Sequence, residues 1–306
     1  SKEVNAGMTE IIVRNLKKNF RGKVVLDIPS FGSHSGEIVS IVGTNGAGKS
    51  TFIKIISGLM LQDAGDVFVF GSKNTSKDIH NNVKLVLESG RGYYEYLTAN
   101  QNIDYFLHLN KSSRGQVKDE LEDLFNKLAF HPYVDVLVSE LSQGTRQKLS
   151  LIIALLCKPK VLCLDEPTNG LDVIAKKQFA KLLLTLSQEK GTIVLMTTHD
   201  IYFAKEISTR ICIMSRGKII QQGSFSEIFG KNTRWVKYRI GISNSDKDAF
   251  ERLFPDLSYQ VENERLIVEV KDSQFKNNIF NNFEMIFFEE VEESIEEILY
   301  EVINDD

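Results

Sequence analysis

The stretch that decides the fold is "EIVSIVGTNGAGKSTFIKIISGLM", Glu37 to Met60. A β-branched apolar run leads into Gly43, and an apolar, helix-like segment leads away from Thr51. Between them, Gly43 to Ser50 fits G-x-x-x-x-G-K-[ST], the strand–loop–helix device whose backbone wraps phosphates. The glycines let the chain curl closely around an anion. Lys49 is placed to reach the β and γ phosphates of a nucleotide, and the Ser50 hydroxyl to ligate Mg²⁺. Gly43, Thr44, Asn45, Gly46, Ala47, Gly48, Lys49, Ser50 and Thr51 are therefore the nucleotide-binding candidates.

Working outward, the metal needs an acidic partner at the end of a neighbouring buried strand. "VLCLDEP" supplies Asp165, expected on the metal, and Glu166, expected to polarise the attacking water. "TIVLMTTHD" ends a further apolar strand at His199, where open α/β sheets bind ligands. A second anion-binding start opens "LSQGTRQKLSLIIALL", Leu141 to Leu156, because the first N–H groups of a helix and its dipole both favour negative charge. One chain thus carries two phosphate devices.

The rest of the chain supplies context. Residues 9 to 70 are β-rich in "TEIIVRNLKKNF", "KVVLDIPSF" and "GDVFVFG". "ANQNIDYFLHLN" and "VKDELEDLFNKLAF" have helical spacing, and from Leu149 helix and strand alternate, which predicts a parallel sheet flanked by helices. After Lys231 the order βαββαβ, with a hairpin around Glu262-Asn263, predicts a ferredoxin-like unit. Val291, Ile295, Ile298, Leu299 and Val302 are expected on one stripe of a last helix. The 306 residues suit one large and one small domain. A net charge of −4 advertises neither nucleic acid nor an anionic surface. Three cysteines, Cys157, Cys163 and Cys212, lack metal-like spacing and read as buried, reduced core residues. No run is long enough for a membrane span, and the polar start is no signal peptide. Residues 1–8 read as a disordered or vector-derived N-terminus.

Taken together, these motifs resemble the ATP-binding cassette (ABC) ATPases over roughly residues 9 to 230. "LSQGTRQKL" is similar to that family's LSGGQ signature, "NGLD" at Asn169 to Asp172 to its D-loop, and His199 to its switch histidine. Phe20 stands where the family stacks an aromatic on adenine. The resemblance implies an α/β fold of the ABC-type P-loop class, with a RecA-like core, an antiparallel β subdomain and a helical subdomain at about 98–145. A small α+β accessory domain would follow over 231–306. It also implies ATP and Mg as cofactors, Glu166, His199, Lys49 and Glu88 as catalytic residues, and Ser50, Asp165 and Glu88 around the metal. Ser142, Gln143, Gly144 and Thr145 would act in trans on a second cassette's ATP, most simply in a homodimer.

Departures from the pattern matter as much. Gln143 replaces a signature glycine and Thr145 its glutamine. In "VKLVLESGRGYYEYLTANQNI" the family's Q-loop glutamine aligns with Glu88, which adds negative charge beside the phosphates, so slower turnover, or a greater need for Mg²⁺, than in a Glu88→Gln variant is expected. Asp165 follows Lys49 by only 116 positions, too few for the coiled-coil insertion of chromosome-type relatives. The segment after Glu88 and the ending "SIEEILYEVI" resemble the drug, antimicrobial-peptide or sodium exporter group. That implies a separate polytopic permease, docked near Glu88 to Tyr96 with Tyr93 and Tyr94 as anchors, a place on the cytoplasmic face of a membrane, and no nucleic acid. The alternative is a regulatory or assembly ATPase without transport.

Overall fold

The computed structural model describes residues 9–88, 92–229, 236–270, 273–292 and 295–304. The expectation for residues 1–8, and the first part of the strand expected at Arg234, lie outside them. The chain folds as two compact units, up to Ile228 and from Phe229 to Asn304.

In chain order the first unit contains β1 (Ile11–Phe20), β2 (Lys23–Ser33), β3 (Ile38–Val42), α1 (Lys49–Ile56), β4 (Ala64–Val69), β5 (Ser72–Lys73), α2 (Ile79–Asn82) and β6 (Val83–Val86). After them come α3 (Ala99–Leu109), α4 (Lys118–Lys127), α5 (Gln143–Leu156), β7 (Val161–Asp165), α6 (Val173–Lys190) and β8 (Ile193–Thr198). α7 (Ile201–Ile207), β9 (Arg210–Ser215), β10 (Lys218–Gly223) and α8 (Phe225–Phe229) lead out of it. Two sheets result, β2-β1-β4-β5 and β10-β9-β3-β8-β7-β6. β9, β3, β8, β7 and β6 run parallel, and β10 closes one edge antiparallel.

Parallel strands are covered on both faces, which is why β3, β7 and β8 are buried without a break. Successive side chains still divide between the faces. Val39, Ile41, Cys163, Leu195 and Cys212 pack with Phe52 and Ile53 of α1 and with the β1/β2 sheet. Ile38, Leu162, Leu164, Val194 and Met196 pack against the helices α3 to α7. Burial pushes the Cys163 and Cys212 thiols up to about 12, so both are inert core groups at neutral pH.

Register then gathers the strand ends. Val42 lies beside Thr198, Asp165 beside Thr197, and Val86 beside Leu164. The residues leaving these strands, Gly43, His199, Glu166 and Glu88, therefore emerge along one sheet edge. Among the described residues, no helix is long and apolar enough to cross a membrane.

The second unit contains β11 (Val236–Ser243), α9 (Lys247–Leu253), β12 (Tyr259–Glu262), β13 (Arg265–Val270), α10 (Ser273–Asn282), β14 (Met285–Glu292) and α11 (Ile295–Asn304). The antiparallel order β12-β13-β11-β14 around Ile240, Ile242, Phe250, Leu266, Val268 and Ile279 is ferredoxin-like. The hairpin turn falls one residue later than expected: Glu262 pairs with Arg265, and Asn263 and Glu264 have φ of 48° and 61°. Register wins because Leu266 and Val268 must face the core. Val291 belongs to β14, paired with Lys237, and not to the last helix. That helix buries Leu299 and Ile303; the side chains of Ile295 and Ile298 lie outside the described residues.

Candidate nucleotide site

The loop after β3 is held open by its own geometry. Gly48 ends it at φ 101°, and a Cβ there would come 2.7 Å from Leu26 and 2.9 Å from the Val25 carbonyl. A Cβ on Gly43 would meet the Met214 carbonyl oxygen at 2.2 Å. Both positions admit only glycine without backbone movement. Because α1 begins at Lys49, its first N–H groups point into the loop without intrahelical partners.

Lys49 is nearly buried, and its ammonium donates to the carbonyls of Gly43 at 2.8 Å and Thr44 at 3.2 Å. Burial pulls its pKa below the ordinary lysine value, while Glu166, 3.8 Å away, and Asp165 favour the charge. The Ser50 hydroxyl donates to Asp165 Oδ1 at 2.7 Å. Ser50 and Asp165, from the start of α1 and the end of β7, thus meet across the sheet edge.

Thr197 was not expected among these residues. Its buried hydroxyl donates to Asp165 Oδ1 at 2.7 Å and accepts from the Glu166 N–H at 3.0 Å. The only hint in the sequence is a threonine pair ending an otherwise apolar strand. Glu166 sits at φ 46°, a conformation costly for a residue with a side chain and retained where neighbours over-determine it. Its Oε2 accepts from the His199 backbone N–H at 3.3 Å and lies 2.9 Å from His199 Nδ1.

A cavity of about 720 Å³ lies over this edge, bounded by Gly43 to Gly46, Gly48 to Thr51, Glu88, Glu166, Asn169 and His199. Glu88 is on its wall, but its carboxylate accepts from the Asn169 amide at 3.0 Å and does not join the Ser50–Asp165 pair. Phe20 does not line the cavity. It stands exposed at the tip of the β1/β2 hairpin, where the two-residue Arg21-Gly22 turn sets it opposite Lys23, and Val25 forms the wall instead.

Ser142, Gln143, Gly144 and Thr145 are also absent from the cavity wall. The Ser142 hydroxyl caps α5 by accepting from the Thr145 N–H at 3.2 Å. Gly144 abuts the D-loop, since a Cβ there would come 2.6 Å from the Gly170 carbonyl oxygen. Asp172 caps α6 by accepting from the Ala175 N–H at 2.7 Å. Tyr93 is committed to packing: its ring lies edge-on to Phe106, and burial pushes its phenol up to about 12. Tyr94 remains exposed, its hydroxyl donating to Tyr105 at 3.0 Å.

Among the described residues, no cluster of three or more His, Cys, Asp or Glu side chains could hold a metal by itself. A cation that uses one or two protein oxygens and takes the rest from phosphate and water suits the Ser50–Asp165 pair.

Residues 26–169 match the family described as ABC transporter. The spermidine/putrescine import ATP-binding protein PotA of Spiroplasma citri is 32% identical over 78% of this chain and 68% of its own. The uncharacterized ABC transporter ATP-binding protein YcbN of Bacillus subtilis is 29% identical over 97% of this chain and 98% of its own. A solved ATP-binding subunit of an ABC transporter superposes with a TM-score of 0.66 at 26% identity, over 72% of this chain and 92% of that one. The dimeric structure of MJ0796, a bacterial ABC transporter cassette, gives 0.65 at 25%, over 70% and 98%. The chain belongs to the ABC transporter family, and within it to the ATP-binding subunits that act as ATPases.

Proposed function

We propose that this chain drives an exporter: two copies close on two Mg-ATP, pull on a separate polytopic permease at the inner face of a membrane, and reopen after hydrolysis. The observation that carries the dimeric part is the separation of the two phosphate devices. Lys49, Ser50, Glu166 and His199 line one cavity, with Asp165 bonded to Ser50 beside it, while the capped start of α5 lies outside it. A second copy would bring its Ser142 and Gly144 to that cavity's γ-phosphate.

Hydrolysis then has defined parts. Glu166, restrained by His199, takes a proton from water as the water oxygen bonds to the γ-phosphorus and the bond to the bridging oxygen breaks, leaving ADP and phosphate. Lys49 and the α1 N–H groups stabilise charge on the phosphate oxygens. Ser50 and Asp165 would hold Mg²⁺, which neutralises part of that charge when bound. ATP shifts the dimer only through its higher affinity for the closed form.

The export direction is supported by the segment after Glu88, which resembles that of the exporter group. The import protein PotA, by contrast, is 32% identical over 78% of the chain, so the direction needs a direct test. Tyr94 and Tyr96, exposed beside α3, are the residues proposed to face the permease. The permease that co-purifies with the chain, reconstituted with cassettes outward, should draw its substrate into the vesicle lumen on addition of ATP. ATP-driven loss of preloaded substrate would reverse the direction, and recovery without any polytopic partner would favour the regulatory alternative. Glu166→Gln should abolish the flux in either case.

A further inference from the structure

The cavity proposed to take a triphosphate carries an extra acid on its wall, Glu88, and binding a polyanion beside a free carboxylate is unfavourable. The Asn169 amide donates to Glu88 Oε1 at 3.0 Å, across 81 positions of sequence. Asn169 is itself fixed. Its backbone N–H donates to the Glu166 carbonyl at 3.3 Å, and the Leu171 N–H to the Thr168 carbonyl at 3.1 Å, closing a tight turn after β7. The next residue, Gly170 at φ 78°, lies under the Gln143 side chain: a Cβ on Gly170 would be 3.3 Å from it. The donor is therefore presented from a turn wedged between the hydrolytic strand and the signature helix.

We infer that Asn169 is a positioning residue for Glu88. Its amide pins the carboxylate on the D-loop side of the cavity, off the Ser50–Asp165 pair, and offsets part of its charge, so that a triphosphate can enter despite the added acid. The inference rests on the reading of this cavity as a nucleotide site.

The test is equilibrium binding of ATP in EDTA to the full chain and to Asn169→Ala, Glu88→Gln and the double variant. Asn169→Ala should weaken binding by about threefold to tenfold, the span of one lost hydrogen bond. In the Glu88→Gln background the same change should alter affinity by less than about twofold, because no carboxylate is left to pin. Asn169→Asp, isosteric but without a donor, should weaken binding more than Asn169→Ala and covers the case of a misfolded alanine variant. An equal loss in both backgrounds would mean that Asn169 merely shapes the turn and would overturn the inference. Unchanged affinity throughout would also overturn it. If the unaltered chain bound no ATP, the nucleotide reading itself would fall.

Discussion

Thr197 controls two acids through one hydroxyl. It donates to Asp165 and accepts from the N–H of Glu166, whose φ of 46° needs such support. Thr197→Val keeps the shape and removes both bonds. We expect a stability loss of about 1–3 kcal/mol, the usual cost of leaving a buried polar group unpaired. Phosphate release should fall at least about tenfold, because Glu166 is then free to move by fractions of an ångström. Thermal melting and a steady-state assay check the two, and wild-type rates would show that His199 alone suffices to orient Glu166. At this scale Lys49, Ser50 and Asp165 were legible in the sequence because each sits in a local pattern that its chemistry requires. Thr197 was not, since its role exists only through its strand neighbour. The contact of Glu88 with Asn169 was hidden for the same reason.

α5 shows what an element adds. It is buried along most of its length, yet it begins at an exposed Ser142 whose side chain already caps the helix. Gly144 has no room for a Cβ because the Gly170 carbonyl lies against it, so the start of α5 packs directly on the turn after β7. Losing a general base costs about 10²- to 10⁴-fold in rate, so Glu166→Gln should accumulate an ATP-bound dimer, read as mass by light scattering with and without Mg-ATP. Adding Ser142→Arg should return it to monomer. A dimer that survives both changes would remove the trans role of this helix start. The helix α3 was readable from its apolar spacing, and the structure adds a cap built by Thr98 and Gln101 at its start. The boundary between β14 and α11 was not, because Val291 satisfies a strand pairing and a helical stripe equally well, and only the ladder to β11 decides.

At the scale of the molecule, the chain folds as two units, the first with a buried cluster on each face of its parallel sheet and the second with a cluster of its own. The ferredoxin-like order was legible because alternation of two in the strands and three to four in the helices repeats cleanly, whereas its purpose is not written in any motif. We expect a chain ending at Ile228 to unfold cooperatively, since its clusters of buried residues are its own. We also expect its ATPase rate, or the ATP-dependent dimerisation of its Glu166→Gln form, to change by at least about twofold relative to the full chain. If neither differed, the second unit would have no hand in closing or gating the cassette.

The shared register of the strand ends has one more consequence, for how this protein can vary. With Val42 beside Thr198 and Asp165 beside Thr197, the lengths of β3, β7 and β8 are counted against one another. Deleting a single residue inside β7 or β8 would keep the run apolar but turn each later side chain to the opposite face and draw Glu166 or His199 back from the edge. An insertion between α3 and α4, where Lys111 and Ser113 are exposed, leaves that count untouched. Drift in length is therefore confined to such loops, and the distances along the chain between the motifs can change while the lengths of the strands that carry them stay fixed.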